Sequence, residues 1–217
     1  MRVFDEGVYQ EDHPFVVAEF LPLTLSSAMR GQTEFADKLS YALQLLSALA
    51  YLASLETPVV HRDIKPTNIF IKGGSCVLGD FGLMKRQAAD VLPDREFLRE
   101  SLKGMPRNYR TPDLVEYLNG GPVPTPKSDV FQAGLVLAEL FTGSNPLRPG
   151  KGNDFDSPVE LDELSDANEP LWQHIKPGVQ EMLAIKPDER PGPDVLLELW
   201  PGLFLEAIRR AQANRRR

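Results

Sequence analysis

A chain of 217 residues with 42% hydrophobic content can bury one sizeable core and reads most simply as one domain. Its formal charge of −7 conceals a more acidic body: residues 209–217, RRAQANRRR, hold five arginines and no acid, so the remainder carries −12, which argues against general nucleic-acid binding. Cys76 is the sole cysteine, which excludes an internal disulfide and fits a reducing compartment such as the cytoplasm.

The opening residues MRVFDEGVYQ contain no signal-type apolar stretch. No apolar run approaches the roughly 18–20 residues of a membrane span, and the longest, FVVAEFLPL, contains Glu19 and Pro22. RVFDEGVY and PFVVAEF, rich in β-branched and aromatic residues, predict two strands separated by the turn-like QEDH. In DKLSYALQLLSALAYLASL the period changes. Leu39, Ala42, Leu43, Leu46, Leu49 and Ala53 recur every three or four residues, as one face of a buried helix does.

NIFI and CVLG are short apolar strands joined by KGGS, a Gly-Gly hairpin signal. KSDVFQAGLVLAELFTG is apolar most of the way round, which predicts a helix in the middle of a core. EPLWQHIKPGVQEML and PDVLLELWPGLFLEAIRRA are weaker amphipathic stretches whose prolines end or offset turns. NGGPVPTPKS and TGSNPLRPGKGNDFDSP read as surface connectors. There is no internal repeat.

The chemistry concentrates in VVHRDIKPTNIFIKGGSCVLGDFGLMK, residues 59–85. A turn at Gly73-Gly74 folds Asn68 and Asp80 to the same end of a hairpin, within one residue of register. An amide oxygen and a carboxylate meeting there can hold a hard cation such as Mg²⁺. Asp63 lies on the loop entering that hairpin, and Lys65 adds a positive charge where phosphate charge would develop. Each residue alone would read as a turn-former or a surface charge; together they are far more specific. With one cysteine and three scattered histidines, His13, His61 and His174, no zinc-type cluster is expected.

HRDIKPTN followed by DFG resembles the catalytic and metal-binding loops of protein kinases. The similarity continues in order through YRTPDL, KSDVFQAGLVLAELFTG and PDERP, and FVVAEFLPL is similar to the strand and hinge that receive adenine. It covers about residues 3–205 and implies an α+β, protein-kinase-like fold. On that likeness residues 1–22 are a remnant of the smaller lobe (two strands and the hinge), residues 23–208 are the mainly helical larger lobe, and residues 209–217 are a basic tail.

The resemblance implies ATP and Mg²⁺ as cofactors and a protein substrate, with KPTN similar to the serine/threonine class. It makes Asp63 the acceptor of the attacking hydroxyl's proton and Lys65 the residue steadying the transferring group. Asn68 and Asp80 become the metal ligands. The Glu19 carbonyl and Leu21 amide would meet adenine, and the small Ala18 would leave a deeper pocket behind it. His61 is expected to pack and hydrogen-bond in the core, Asp129 to accept backbone bonds from the catalytic loop, and Asp113 to pair with Arg190, although the family prefers glutamate at position 113.

Two departures set limits on this likeness. No G-x-G-x-x-G occurs anywhere, and residues 1–18 contain no lysine, so the usual grip on the phosphates is expected to be missing, and full activity is expected to need the absent part of the smaller lobe or a partner chain that supplies it. Pro106 or Met105 stands where the family commonly has a threonine or serine. Ser101 is the only hydroxyl side chain between Leu83 and Asn108; if phosphorylation switches this segment, Ser101 is the sole local candidate and Arg62 the receptor, the alternative being a plain surface serine. The alternatives are a catalytically impaired, pseudokinase-like module that docks partners or self-associates through exposed Val3, Phe15 and Val17, and a small-molecule phosphotransferase of the same fold.

Overall fold

The computed structural model describes residues 2–10, 13–87, 94–101, 103, 106–147, 155, 157–162, 171–198 and 200–214. Met105, residues 148–154 of the long connector and tail residues 215–217 lie outside them.

Strands β1 (Val3–Tyr9) and β2 (His13–Ala18) form an antiparallel hairpin, with Gly7 opposite Phe15 and an irregularity between Val3 and Asp5. Val3, Phe4, Val8, Tyr9, Phe15, Val16 and Val17 are all exposed on it, so neither face of this ribbon is covered by the described residues. The chain then runs along a second hairpin: the Ile71 amide donates to the Leu23 carbonyl at 2.8 Å, and Thr24 bridges Phe70. Thr24 next caps α1 (Leu25–Met29) by accepting from the Ser27 amide.

Helix α2 (Phe35–Ser54) starts a few residues earlier than its apolar period predicts. Leu39, Ala42, Leu46 and Leu49 are buried as expected, but so is Leu45, whereas Leu43 and Ala53 are only half-buried. The buried stripe is shifted because the helix is covered from several sides at once. Its neighbours are β5 (Ser75–Leu78), α5 (Pro126–Thr142) and α7 (Trp200–Asn214). Helix α5 is the centre of the molecule, buried from Ser128 through Ala138. It ends at Gly143 in the left-handed conformation that helix C-termini favour. Phe141, Trp172 and Trp200 close the core between α5, α6 (Trp172–Met182) and α7, with ring centroids 5.8 and 6.1 Å from Phe141.

Helix α6 runs through Pro177 instead of ending there. Burial of Trp172, Ile175, Val179 and Met182 on one face outweighs the lost backbone bond. The last amphipathic stretch is divided into a 3-10 turn, Val195–Leu197, and α7, which begins just before Pro201.

Among these helices lie β3 (Val59–Val60), β4 (Ile69–Lys72), β5 and β6 (Lys85–Arg86), paired as β3–β6 and β4–β5. Helices α3 (Arg95–Ser101) and α4 (Pro112–Leu118) share a small satellite cluster of Leu98, Leu114 and Tyr117. The architecture is α+β, with short ribbons set against a mainly helical body. Among the described residues no helix is long and apolar enough to cross a membrane.

Candidate active site

The β4–β5 hairpin turns through Gly73 and Gly74, both at positive φ (56° and 80°), a conformation that glycine adopts without Cβ strain. Its register pairs Ile69 with Leu78 and Lys72 with Ser75. Asn68 and Gly79 therefore face each other at the open end, where the Gly79 amide donates to the Asn68 carbonyl at 2.9 Å. A Cβ on Gly79 would stand 2.8 Å from the Phe70 ring, so only glycine lets the strand end pass there. Asp80 follows at φ 58°, a left-handed backbone that costs a non-glycine residue energy and that collects at functional sites.

On the loop side, Asp63 is 6% exposed. Its Oδ2 accepts from Lys65 Nζ at 2.9 Å and from Asn68 Nδ2 at 2.8 Å, and the same Nδ2 reaches the Asp63 carbonyl at 2.9 Å. Asp63 Oδ1 is buried with no hydrogen-bond partner. A buried carboxylate oxygen left unbonded is costly unless a donor arrives. Asn68 directs its amide nitrogen to Asp63, and no described residue bonds its amide oxygen. The Asp80 carboxylate is likewise free of hydrogen bonds and ion pairs among the described residues. Asp63, Lys65 and Asp80 line one open cleft of about 390 Å³, together with Gly82, Leu83, Phe97 and Ser101.

The loop carrying His61, Arg62 and Asp63 is held from beneath by α5. Asp129 accepts the His61 amide at 2.7 Å on Oδ2 and the Arg62 amide at 2.8 Å on Oδ1. Gln132 accepts from the Ile64 amide at 2.8 Å and donates to the carbonyls of Arg62 and Tyr109. Complete burial pushes the Asp129 carboxyl up to about 7, while the two amide bonds pull the other way. His61 is buried; its Nε2 donates to the Gly79 carbonyl at 3.0 Å and its Nδ1 accepts the Asp63 amide at 3.3 Å. Burial lowers its pKa, partly opposed by the Gly79 bond and by the charges of Asp63 and Asp80. The imidazole is therefore a neutral brace joining the loop to the hairpin end, with Phe81 packed 4.5 Å from its ring.

The residues expected to form the hinge are separate from this cluster: none of Ala18, Glu19 and Leu21 lines the cleft. Ala18 ends β2, Leu21 is buried, and the Glu19 amide donates to the Arg2 carbonyl at 2.8 Å. The Glu19 carboxylate pairs with Lys72 at 2.6 Å. The Glu19 carbonyl and the Leu21 amide make no bond among the described residues, so both remain available to a ligand.

One expectation is corrected. Arg62 is not an open receptor for a phosphate on Ser101. Its guanidinium is 2% exposed and already pairs with Asp94 at 2.7 Å, while the Ser101 hydroxyl bonds the Phe97 carbonyl within α3. Sequence reasoning missed Asp94 altogether. It lies 32 positions from Arg62, and no local pattern announces so distant a pair.

A carboxylate gripped by a lysine and an amide, beside a second acid at a hairpin end and braced by a buried central helix, is an arrangement suited to moving a charged group. Residues 3–200 match the protein kinase domain family, and the chain belongs to that family. It is similar to protein kinase gsk31 of Schizosaccharomyces pombe, at 39% identity over 158 residues, which cover 69% of this chain and 37% of that protein. A mitogen-activated protein kinase kinase kinase 7-like protein of Drosophila melanogaster is 36% identical over 108 residues, 49% of this chain and 24% of that one. The chain thus matches about a third and about a quarter of these relatives' lengths.

Proposed function

We propose that this chain carries the chemical centre of a serine/threonine protein kinase, transferring the γ-phosphoryl group of ATP to a hydroxyl of a protein substrate. The observation that carries this reading is the Asp63 carboxylate: Oδ2 is fixed by Lys65 and Asn68, and Oδ1 is buried and unbonded. An incoming hydroxyl would donate to Oδ1 and lose its proton to that carboxylate as its oxygen bonds to the γ-phosphorus. The bond to the β-γ bridging oxygen breaks and ADP departs. Lys65 stands where negative charge accumulates on the transferring group.

Asn68 and Asp80 fit a magnesium ion, because both offer oxygen atoms that no described residue engages. Among the described residues no group of three or more His, Cys, Asp or Glu could hold an ion. Two protein oxygens completed by phosphate oxygens are the usual manner of holding Mg²⁺. When bound, Mg²⁺ neutralises phosphate charge. Adenine would be received by the Glu19 carbonyl and the Leu21 amide, with Ala18 leaving space behind. In this reading residues 1–22 belong to the smaller lobe and hinge, residues 23–208 form the larger lobe, and the presence of a single cysteine suits a cytoplasmic setting.

The test is transfer of labelled phosphate from ATP to a panel of serine and threonine peptides by the full chain and by Asp63→Asn. A loss of about 100-fold or more, with thermal stability retained, is expected for removal of the proton acceptor. Equal activity in the variant would end this reading.

A second reading, a docking module without turnover, draws on the apolar β1–β2 hairpin, where Phe4 and Val8 are 59% and 62% exposed. Sedimentation decides for or against it. Self-association abolished by Val8→Lys would favour it, and a monomer at all concentrations with no captured partner would count against it.

A further inference from the structure

Arg62 stands one residue before Asp63, and its backbone is left-handed at φ 67°, a conformation an arginine adopts only when its surroundings compel it. Its peptide faces the core, where Asp129 and Gln132 hold its amide and carbonyl. Its side chain faces the opposite way. Nε donates to the Leu83 carbonyl at 2.5 Å, and Nη2 pairs with Asp94 Oδ2 at 2.7 Å. Leu83 lies three residues after Asp80, so this one guanidinium ties the proton acceptor's loop to the turn carrying the second acid.

Asp94 is the counterpart that holds the guanidinium there. Oδ2 also lies 3.8 Å from Lys85 Nζ on β6, and Oδ1 accepts the Tyr117 hydroxyl of α4 at 3.1 Å. The Asp94 amide donates back to that hydroxyl at 3.2 Å. Four parts of the chain therefore meet on one carboxylate: the catalytic loop, β6, α4 and the start of α3. The next residue fastens α3 in turn. Arg95 donates to the Tyr117 and Gly121 carbonyls at 3.0 and 2.9 Å, and its guanidinium lies 4.7 Å from the Tyr117 ring. Burial pushes the Asp94 carboxyl upward, but the bond and charge of Arg62, with Tyr117 and Lys85, more than offset it and hold the pKa below the ordinary carboxylate value. The group is ionised at neutral pH.

A phosphate added to a loop orders it by presenting negative charge to an arginine. Here a carboxylate encoded in the sequence already sits on that arginine. Ser101, the one local hydroxyl that a kinase could modify, faces the cleft instead. We propose that Asp94 is a positioning residue for the phosphoryl transfer, a built-in anion that sets Arg62, and through it Asp63 and the Asp80 turn, without phosphorylation of this segment. The proposal rests on the kinase reading above for the reaction, and on the geometry alone for the clamp.

The experiment compares the full chain with Asp94→Asn and Asp94→Glu in two measurements. In steady-state transfer, Asp94→Asn is expected to lower kcat by about 10- to 100-fold while KM for ATP stays within about two-fold. Asp94→Glu should recover most of the loss. Intact mass of the active wild type should show no phosphate on residues 81–111. An unchanged kcat in Asp94→Asn, or activity that requires phosphorylated Ser101, overturns the proposal. Hydrogen exchange needs no turnover: the amides of residues 83–86 and 95–101 should exchange faster in Asp94→Asn than in wild type, and equal protection overturns the clamp. Absence of transfer by the wild type, with faster exchange in the variant, would mark the failure of the kinase reading and of the role in transfer, and leave the clamp standing.

Discussion

Arg190 donates from Nη1 to a single oxygen of Asp113 at 2.8 Å, while the other carboxylate oxygen, Oδ2, is buried without a partner. The remaining guanidinium donors reach the carbonyls of Ala184, Ile185 and Lys127, and the group lies 4.8 Å from the Phe131 ring. Arg190 is thus fixed on several sides, and the one-sided contact originates with the short aspartate. Removing the carboxylate would strand a buried charge, so Asp113→Ala is expected to cost about 3–5 kcal/mol.

Asp113→Glu should do the opposite. One more methylene brings the second oxygen within reach of the fork, and a gain of about 1 kcal/mol would raise Tm by roughly 2–4 °C in a chain of this size. Calorimetry of the two variants checks both. A glutamate variant that melts lower than wild type would show that the pocket is filled and that the orphan oxygen is tolerated for packing reasons.

The hairpin and the central helix were legible because their signals are local. Gly73-Gly74 dictates the turn, and the turn dictates that Asn68 and Gly79 meet, with Asp80 one step beyond. The all-round apolar run after Pro126 could only be an interior helix. Other features depend on neighbours far along the chain. Leu45 is buried because α2 has neighbours on more than one side, and Pro177 stays helical because one face of α6 is held in the core. The Arg62–Asp94 pair joins residues whose local sequences say nothing of each other. Charge logic gave Arg62 an anionic partner, but could not find Asp94.

Cys76 lies on β5, partly buried, and burial pushes its thiol up to about 12. Only the thiolate attacks alkylating reagents, so at pH 8 about one molecule in ten thousand is reactive. Iodoacetamide at pH 8 should leave the folded chain unmodified for hours and give one adduct promptly after denaturation. Rapid labelling of the folded protein, read by intact mass, would contradict the shielding of the Cys76 thiol on β5.

His61 ties stability to pH. Burial keeps its folded pKa below the ordinary 6.5, so as pH falls below about 7 the unfolded chain takes up a proton that the folded chain refuses. Stability from this group is complete above the unfolded pKa, is lost as pH falls toward the folded one, and is flat below that. Asp129, raised by burial to about 7, works in the opposite sense between roughly pH 4 and 7. The effect of His61 is therefore isolated by difference. Wild type and His61→Asn should converge in Tm between pH 7.5 and 5.5, and a gap that is constant over that range would show that His61 does not titrate there on unfolding.

The Asp80 side chain can be neutralised without disturbing its backbone. Asparagine tolerates the left-handed conformation at φ 58° better than most residues, and no described residue depends on the Asp80 carboxylate for a bond. Asp80→Asn should therefore fold with a Tm close to wild type. Nucleotide and metal together should separate the two proteins. A ligand that binds only the folded state stabilises it in proportion to the logarithm of its concentration over Kd. If Asp80 and Asn68 share Mg²⁺ with the phosphates, ATP with Mg²⁺ should raise the wild-type Tm more than ATP with a chelator, and Asp80→Asn should lose that increment. Asn68→Ala should lose it as well, although that change also removes a hydrogen bond to Asp63 and is expected to lower the baseline Tm. An equal Mg²⁺-dependent rise in Asp80→Asn would place the cation elsewhere, while the proton-accepting role proposed for Asp63 would be unaffected.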